Sequence, residues 1–307
     1  MGFNKINLLA EITTKLLDSV NKKAGQFNPQ EIANTLLALN QMGFNKINLP
    51  AEITTKLLDS VNKNAGKFNS QGIANTLLAL SQMGHHNDWV KRWCKTIAVT
   101  INPQKYQNKE LLQIVTACRL MEIPYNQGNV IGRVRHQLER DTCDSRLQQE
   151  VAQILAKECK NLKQEYIIQD CMIVDTFYPE KNWVIEINGP HHYNDNGSLT
   201  IKSQQKIANL NRLGYSVVVI SYRDWKQLRT AQDKTDFIKR KLKERPLASH
   251  SVKSLTQGKA ASESLSLKLG SSSLRKASFW QKNNLKKAHT KPTTKAWGNS
   301  ISTAHAK

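Results

Sequence analysis

The chain has 307 residues and carries 45 Lys+Arg against 24 Asp+Glu, a formal net charge of +21. That length accommodates about two domains, and the charge points to a polyanionic partner, nucleic acid ahead of an anionic membrane surface. No apolar run approaches the ~18 residues of a membrane span, the N-terminus lacks a signal-peptide layout, and five cysteines without a CxxC pair build neither a disulfide framework nor a zinc finger. An intracellular protein, most simply cytoplasmic, is expected.

Residues Gly2–Met42 and Gly43–Met83 are nearly one sequence, repeated with a period of 41 residues. They differ at Leu9/Pro50, Lys23/Asn64, Gln26/Lys67, Pro29/Ser70, Glu31/Gly72 and Asn40/Ser81. A period of this length means stacked supersecondary units. Ile53, Leu57, Leu58 and Val61 recur at helical spacing behind Pro50. A second helix begins at Asn28, with Pro29 in its first turn and Glu31 completing a capping box. Each unit therefore reads as a helix–turn–helix hairpin. Tyr106–Met121 aligns with Phe68–Met83, which gives a diverged third unit with Trp89–Ile101 as its first helix. Such hairpins bury their apolar faces by stacking into a solenoid.

The core Gln30–Leu39 (QEIANTLLAL), repeated at Gln71–Leu80, resembles that of the octotricopeptide repeats, echoed in FAST-kinase-domain proteins. The resemblance covers about residues 1–125 and implies single-stranded RNA bound along one face. Asn34, Asn75 and Gln113 occupy corresponding places in the three units. They read either as base-contacting side chains or as structural amides bonding between repeats.

Residues 126–143 are expected to be a linker. From Ser145 a helix begins, with Gln148 closing a capping box, and Glu150 points toward its buried side. Three extended runs follow at Glu165–Ile168, Met172–Phe177 and Trp183–Asn188. Then come a helix over 201–213, a strand at Ser216–Ser221 and a helix near Thr230–Lys243. Alternation places Glu186 and Asn188 on one face of the third run and Trp183, Ile185 and Ile187 on the other. If the second and third runs form a hairpin, Asp175, Glu186 and Glu150 converge, and a pair of carboxylates suits Mg²⁺. The alternative is two strand-edge acids satisfied by lysines or backbone donors. Gly189 reads as a turn where a side chain would obstruct close approach. Trp225 reads as a core plug.

Trp183–Tyr193 (WVIEINGPHHY), Gly214–Ile220 (GYSVVVI) and Ser221–Trp225 (SYRDW) resemble a RAP domain over about residues 144–244. RAP domains in turn resemble the PD-(D/E)XK nucleases, in particular those related to very-short-patch-repair endonucleases. That resemblance implies metal binding by Asp175 and Glu186, and a catalytic lysine where this chain has Asn188. An amide lacks the charge that steadies a phosphorane-like transition state, so Lys181 or Lys202 would have to substitute. His191 and His192 read as general acid–base groups, as RNA contacts, or as turn histidines bonding the backbone.

Residues 245–307 hold 12 Lys+Arg against one acid, Glu263, and read as a disordered basic tail; residues 1–244 still carry +10. The expected architecture is thus multidomain: an all-α repeat solenoid, an α/β domain of the PD-(D/E)XK type and the tail. Three function classes fit it. The first is a single-stranded-RNA-binding protein acting in RNA processing, stability or translation, with no cofactor needed for binding. The second is an Mg²⁺-dependent endonuclease, and the third a scaffold binding protein partners through its repeats.

Overall fold

The computed structural model describes residues 5–125, 127–140 and 145–244. The basic tail lies outside them. Three hairpins form as the repeat implies: α1 (Lys5–Lys23) with α2 (Pro29–Gln41), α3 (Ala51–Asn64) with α4 (Ser70–Met83), and α5 (Asp88–Thr100) with α6 (Asn108–Leu120). Local chemistry sets their ends. Asn28 Oδ1 accepts from the Glu31 amide at 2.9 Å, and Glu31 Oε2 accepts from the Asn28 amide at 2.8 Å. In the second copy Gly72 stands where Glu31 did, and only the forward half survives, from the Gly72 amide to Asn69 Oδ1 at 2.7 Å. Pro50 marks where the second copy's first helix starts, whereas its counterpart Leu9 lies inside α1.

The expected linker is a correction. Residues Gly128–Arg140 form a further helix, α7, packed on α6. Val130, Val134 and Leu138, spaced at one helical face, are buried in the array's core. Two glycines and a run of charge mask that stripe in the sequence.

The second half begins with α8 (Arg146–Glu158) and continues through β1 (Lys163–Ile168), β2 (Met172–Tyr178), β3 (Trp183–Asn188), α9 (Ile201–Arg212), β4 (Ser216–Ser221), α10 (Tyr222–Gln227) and α11 (Ala231–Lys243). Its sheet has the order β1-β2-β3-β4, antiparallel except for the parallel β3–β4 pair. One face packs Ile185, Ile187, Val218 and Ile220 against Val151 and Leu155 of α8, Trp225 of α10 and Phe237 of α11. The other packs Ile168, Val174 and Val184 against Leu210 of α9. Period-2 alternation along β3 feeds both clusters.

Array and sheet share one compact unit. Cys171, in the β1–β2 turn, is buried in the array's core. Gln205 donates to the carbonyl of Asn40, Arg212 donates to the carbonyl of Ser81 at 2.8 Å, and Arg119 donates to the carbonyl of Gln169 at 3.0 Å. Asn40, Ser81 and Arg119 are equivalent positions of the three units, so the same place in every repeat meets the sheet domain. Arg119 and Arg135 also pair with Asp170, at 3.3 and 2.6 Å. No helix of the described residues is long and apolar enough to cross a membrane.

Candidate functional site

The β2–β3 ladder pairs Tyr178 with Trp183, Phe177 with Val184 and Thr176 with Ile185, and ends there. Beyond its end a side chain takes over from the backbone. The Asp175 carboxylate accepts from the Ile187 amide through Oδ2 at 2.6 Å, and from Gln148 Nε2 through Oδ1 at 3.0 Å. Gln148 is fixed at its other end too, since its Oε1 accepts from the Ser145 amide at 2.7 Å.

Glu186, next along β3, is 2% exposed. Lys206 of α9 reaches it, Nζ to Oε2 at 2.6 Å. Burial pushes the Glu186 carboxyl up to about 7; the neighbouring Asp175 adds to the rise and Lys206 opposes it. Glu186 Oε1 and Asn188 Nδ2 are buried without a hydrogen-bond partner. His192 lies half-buried nearby, its Nδ1 3.1 Å from Ser203 Oγ. Burial holds its pKa below the usual value; Asp175 opposes that, while Lys206, Lys202 and His191 reinforce it. The imidazole is therefore mostly neutral at neutral pH. His191 is exposed.

Asp175, Glu186, Asn188 and His192 thus gather around the carboxyl end of β3, but Glu150 belongs elsewhere. Its Oε2 accepts from Trp225 Nε1 at 3.1 Å and from Lys234 Nζ at 2.8 Å, and its Oε1 lies 3.4 Å from Arg146. The residue of α8 that meets Asp175 is Gln148. Of the two lysines expected to substitute at Asn188, Lys181 lies over the Trp183 ring at 4.6 Å, and Lys202 enters only through its charge near His192. Lys206 is the lysine beside the acids, and its signal was its place one turn after Lys202 on the same helix face. Gly189 has extended backbone and open space where a Cβ would stand, so it carries no steric requirement. Trp225 is buried edge-on against Phe237.

These donors suit a bound Mg²⁺ poorly. Both Asp175 oxygens already accept N–H groups, and an ammonium holds Glu186 Oε2, which leaves Oε1 alone open. Among the described residues no three His, Cys, Asp or Glu side chains stand together as a metal site. Within the array, Gln113 Nε2 donates to Asn75 Oδ1 at 3.1 Å and Asn75 is 7% exposed, so these two amides bond across repeats. Asn34 is exposed.

Residues 11–36 and 50–77 match a family model described as protein of unknown function (DUF1601), within the first and second repeat copies. No curated protein matches the chain. The model of the RAP domain matches residues 185–241, from β3 to α11, so that Asp175 and Gln148 lie outside the match while Glu186, Asn188, His192 and Lys206 lie within it. Residues 185–241, running from within β3 through α9, β4 and α10 into α11, are thereby identified as a RAP domain.

Proposed function

We propose that this protein binds single-stranded RNA, acting in RNA processing, stability or translation. The RAP domain is consistent with RNA binding at the level of the family. The observation that carries the reading is a set of surface cations set over aromatic rings of the sheet domain. Lys163 lies 4.8 Å from the Tyr166 ring, Lys181 4.6 Å from Trp183, Arg223 5.1 Å from Tyr193 and Lys226 5.4 Å from Tyr222. Cations that flank π-faces at the surface pair phosphates and stack bases without regard to sequence. The positive charge of residues 1–244 supplies the long-range attraction.

One observation favours the endonuclease reading: Lys206 places beside Glu186 the positive charge that Asn188 does not supply. Against it stand the protein donors on Asp175 and the raised carboxyl of Glu186. Labelled single-stranded RNA on native and denaturing gels separates the two. Binding alone gives a shift that weakens steeply with salt and intact RNA in Mg²⁺ or Mn²⁺. Metal-dependent fragments that vanish in Asp175→Ala and in Glu186→Ala would make the protein a nuclease. A shift indifferent to salt, or none, would defeat the RNA reading and leave the repeats as a protein scaffold.

A further inference from the structure

The parallel strands β3 and β4 finish side by side, with Asn188 opposite Ser221. The chain leaves β3 into the 189–200 loop and leaves β4 into α10, so two connections converge on one end of the sheet. Ligands of open α/β sheets commonly lie outside such carboxyl ends. Here the convergence assembles a group of rings and cations that the buried acids do not involve.

The Tyr193 and Tyr222 rings stand 5.6 Å apart at 60°. Arg223 spans both, its guanidinium carbon 5.1 Å from one ring centre and 5.7 Å from the other, and its Nε donates to Tyr222 Oη at 3.2 Å. Lys226 approaches the Tyr222 ring from the next turn of α10. Gly197, with φ +87°, closes the loop against Arg223; a Cβ there would run into the guanidinium. Tyr193, Tyr222 and Arg223 are half-buried, and His191 and Lys226 are exposed. Asp195 and Asp224 flank the group in sequence, yet among the described ion pairs none involves Arg223 or Lys226. A planar cation set against two adjoining rings, with the loop close around it and no carboxylate paired to it among the described residues, suits a flat, electron-rich ring next to an anion.

We propose that Tyr193, Tyr222 and Arg223 form a stacking site for one unpaired base of single-stranded RNA, with Lys226 and His191 meeting the adjoining phosphates. The site rests on the RNA-binding reading above and gives it an address. It is blind to base identity, because every base offers a π-face.

The test uses the full chain, a short oligouridine, and an abasic oligomer with the same sugar–phosphate backbone. The wild type should bind the oligouridine about tenfold more tightly than the abasic oligomer. The double variant Tyr193→Ala/Tyr222→Ala should lose that preference, and Tyr222→Phe should retain it. Photocrosslinking of 4-thiouridine RNA to the wild type, which needs no variant, should label peptides that contain Tyr193 or Tyr222. A double variant that still prefers bases, or crosslinks confined to the helical repeats, would overturn the site with RNA binding intact. Failure of the wild type to bind either oligomer would overturn the site and the RNA reading together.

Discussion

Two interiors meet in this protein, and the polar groups buried in them, His85 in one and Glu186 in the other, respond to protons in opposite directions. In the array His85 is buried and kept below its usual pKa first by burial and then by the charges of Lys46 and His86. In the sheet domain Glu186 is buried and raised by burial. A histidine of depressed pKa contributes stability that is complete above its unfolded pKa and is lost as pH falls through the folded one. An acid of raised pKa binds more protons folded than unfolded, so its contribution is complete below its unfolded pKa and is lost as pH climbs through the folded one. His192, depressed as His85 is, acts on the acid side. Acid therefore strains the array at His85 and the sheet domain at His192, whereas alkali strains the sheet domain at Glu186.

The largest break in this comparison needs no titration. Leu77 is wholly buried in the array, and Leu77→Ala should cost about 4 kcal/mol in urea unfolding. The loss should be equal at every pH; one that varied with pH would tie the array core to a charge. Lys206→Met removes the cation from Glu186, and the expected loss is about 2 kcal/mol near pH 8, where the carboxylate is ionised. Near pH 5 the acid is protonated in both proteins, so the loss should shrink to below about 0.5 kcal/mol. Equal losses at both pH values would show that Lys206 acts through its aliphatic stem. Glu186→Gln should flatten the alkaline side of a melting-temperature series, a limb on the order of 3 kcal/mol from the raised pKa, while the acid side persists. An unchanged alkaline limb would assign it to another group. The smallest effect compares the two copies: Asn28→Ala and Asn69→Ala should each cost about 1 kcal/mol, because each loses the same side-chain bond to an amide three residues on. A markedly smaller cost at Asn28 would show that the Glu31 arm, which accepts from the backbone amide and survives the substitution, holds that helix end by itself.

The array was largely legible because its signal is written twice: Leu36 and Leu77 coincide across the copies and are both buried, although Ile12 and Leu16 of the first copy are exposed where Ile53 and Leu57 of the second are buried. Helix α7 was equally available through Val130, Val134 and Leu138, but Gly128, Gly132 and the surrounding charges suggested a linker. In the sheet domain, alternation alone placed Glu186 and Asn188 on one face of β3. What alternation does not carry is distance. Glu150 finds Trp225 and Lys234 at separations of 75 and 84 residues, and Glu186 finds Lys206 across a crossover. Asp175 owes its place to where a ladder stops, which no local pattern encodes. The short helix α10, less than two turns behind Ser221, was below the length at which periodicity speaks.

The contacts of Asn40, Ser81 and Arg119 with the sheet domain bear on how such a gene can change. Near-identical coding stretches recombine unequally, so copies of the 41-residue unit are easily gained or lost. Each existing unit, however, is matched to its own receptor: the first to Gln205, the second to Arg212, the third to the Gln169–Asp170 turn. A unit inserted between two others would slide its neighbours off their receptors. The array is an abacus whose beads are each tied to a place on the sheet, and selection should resist insertions between them.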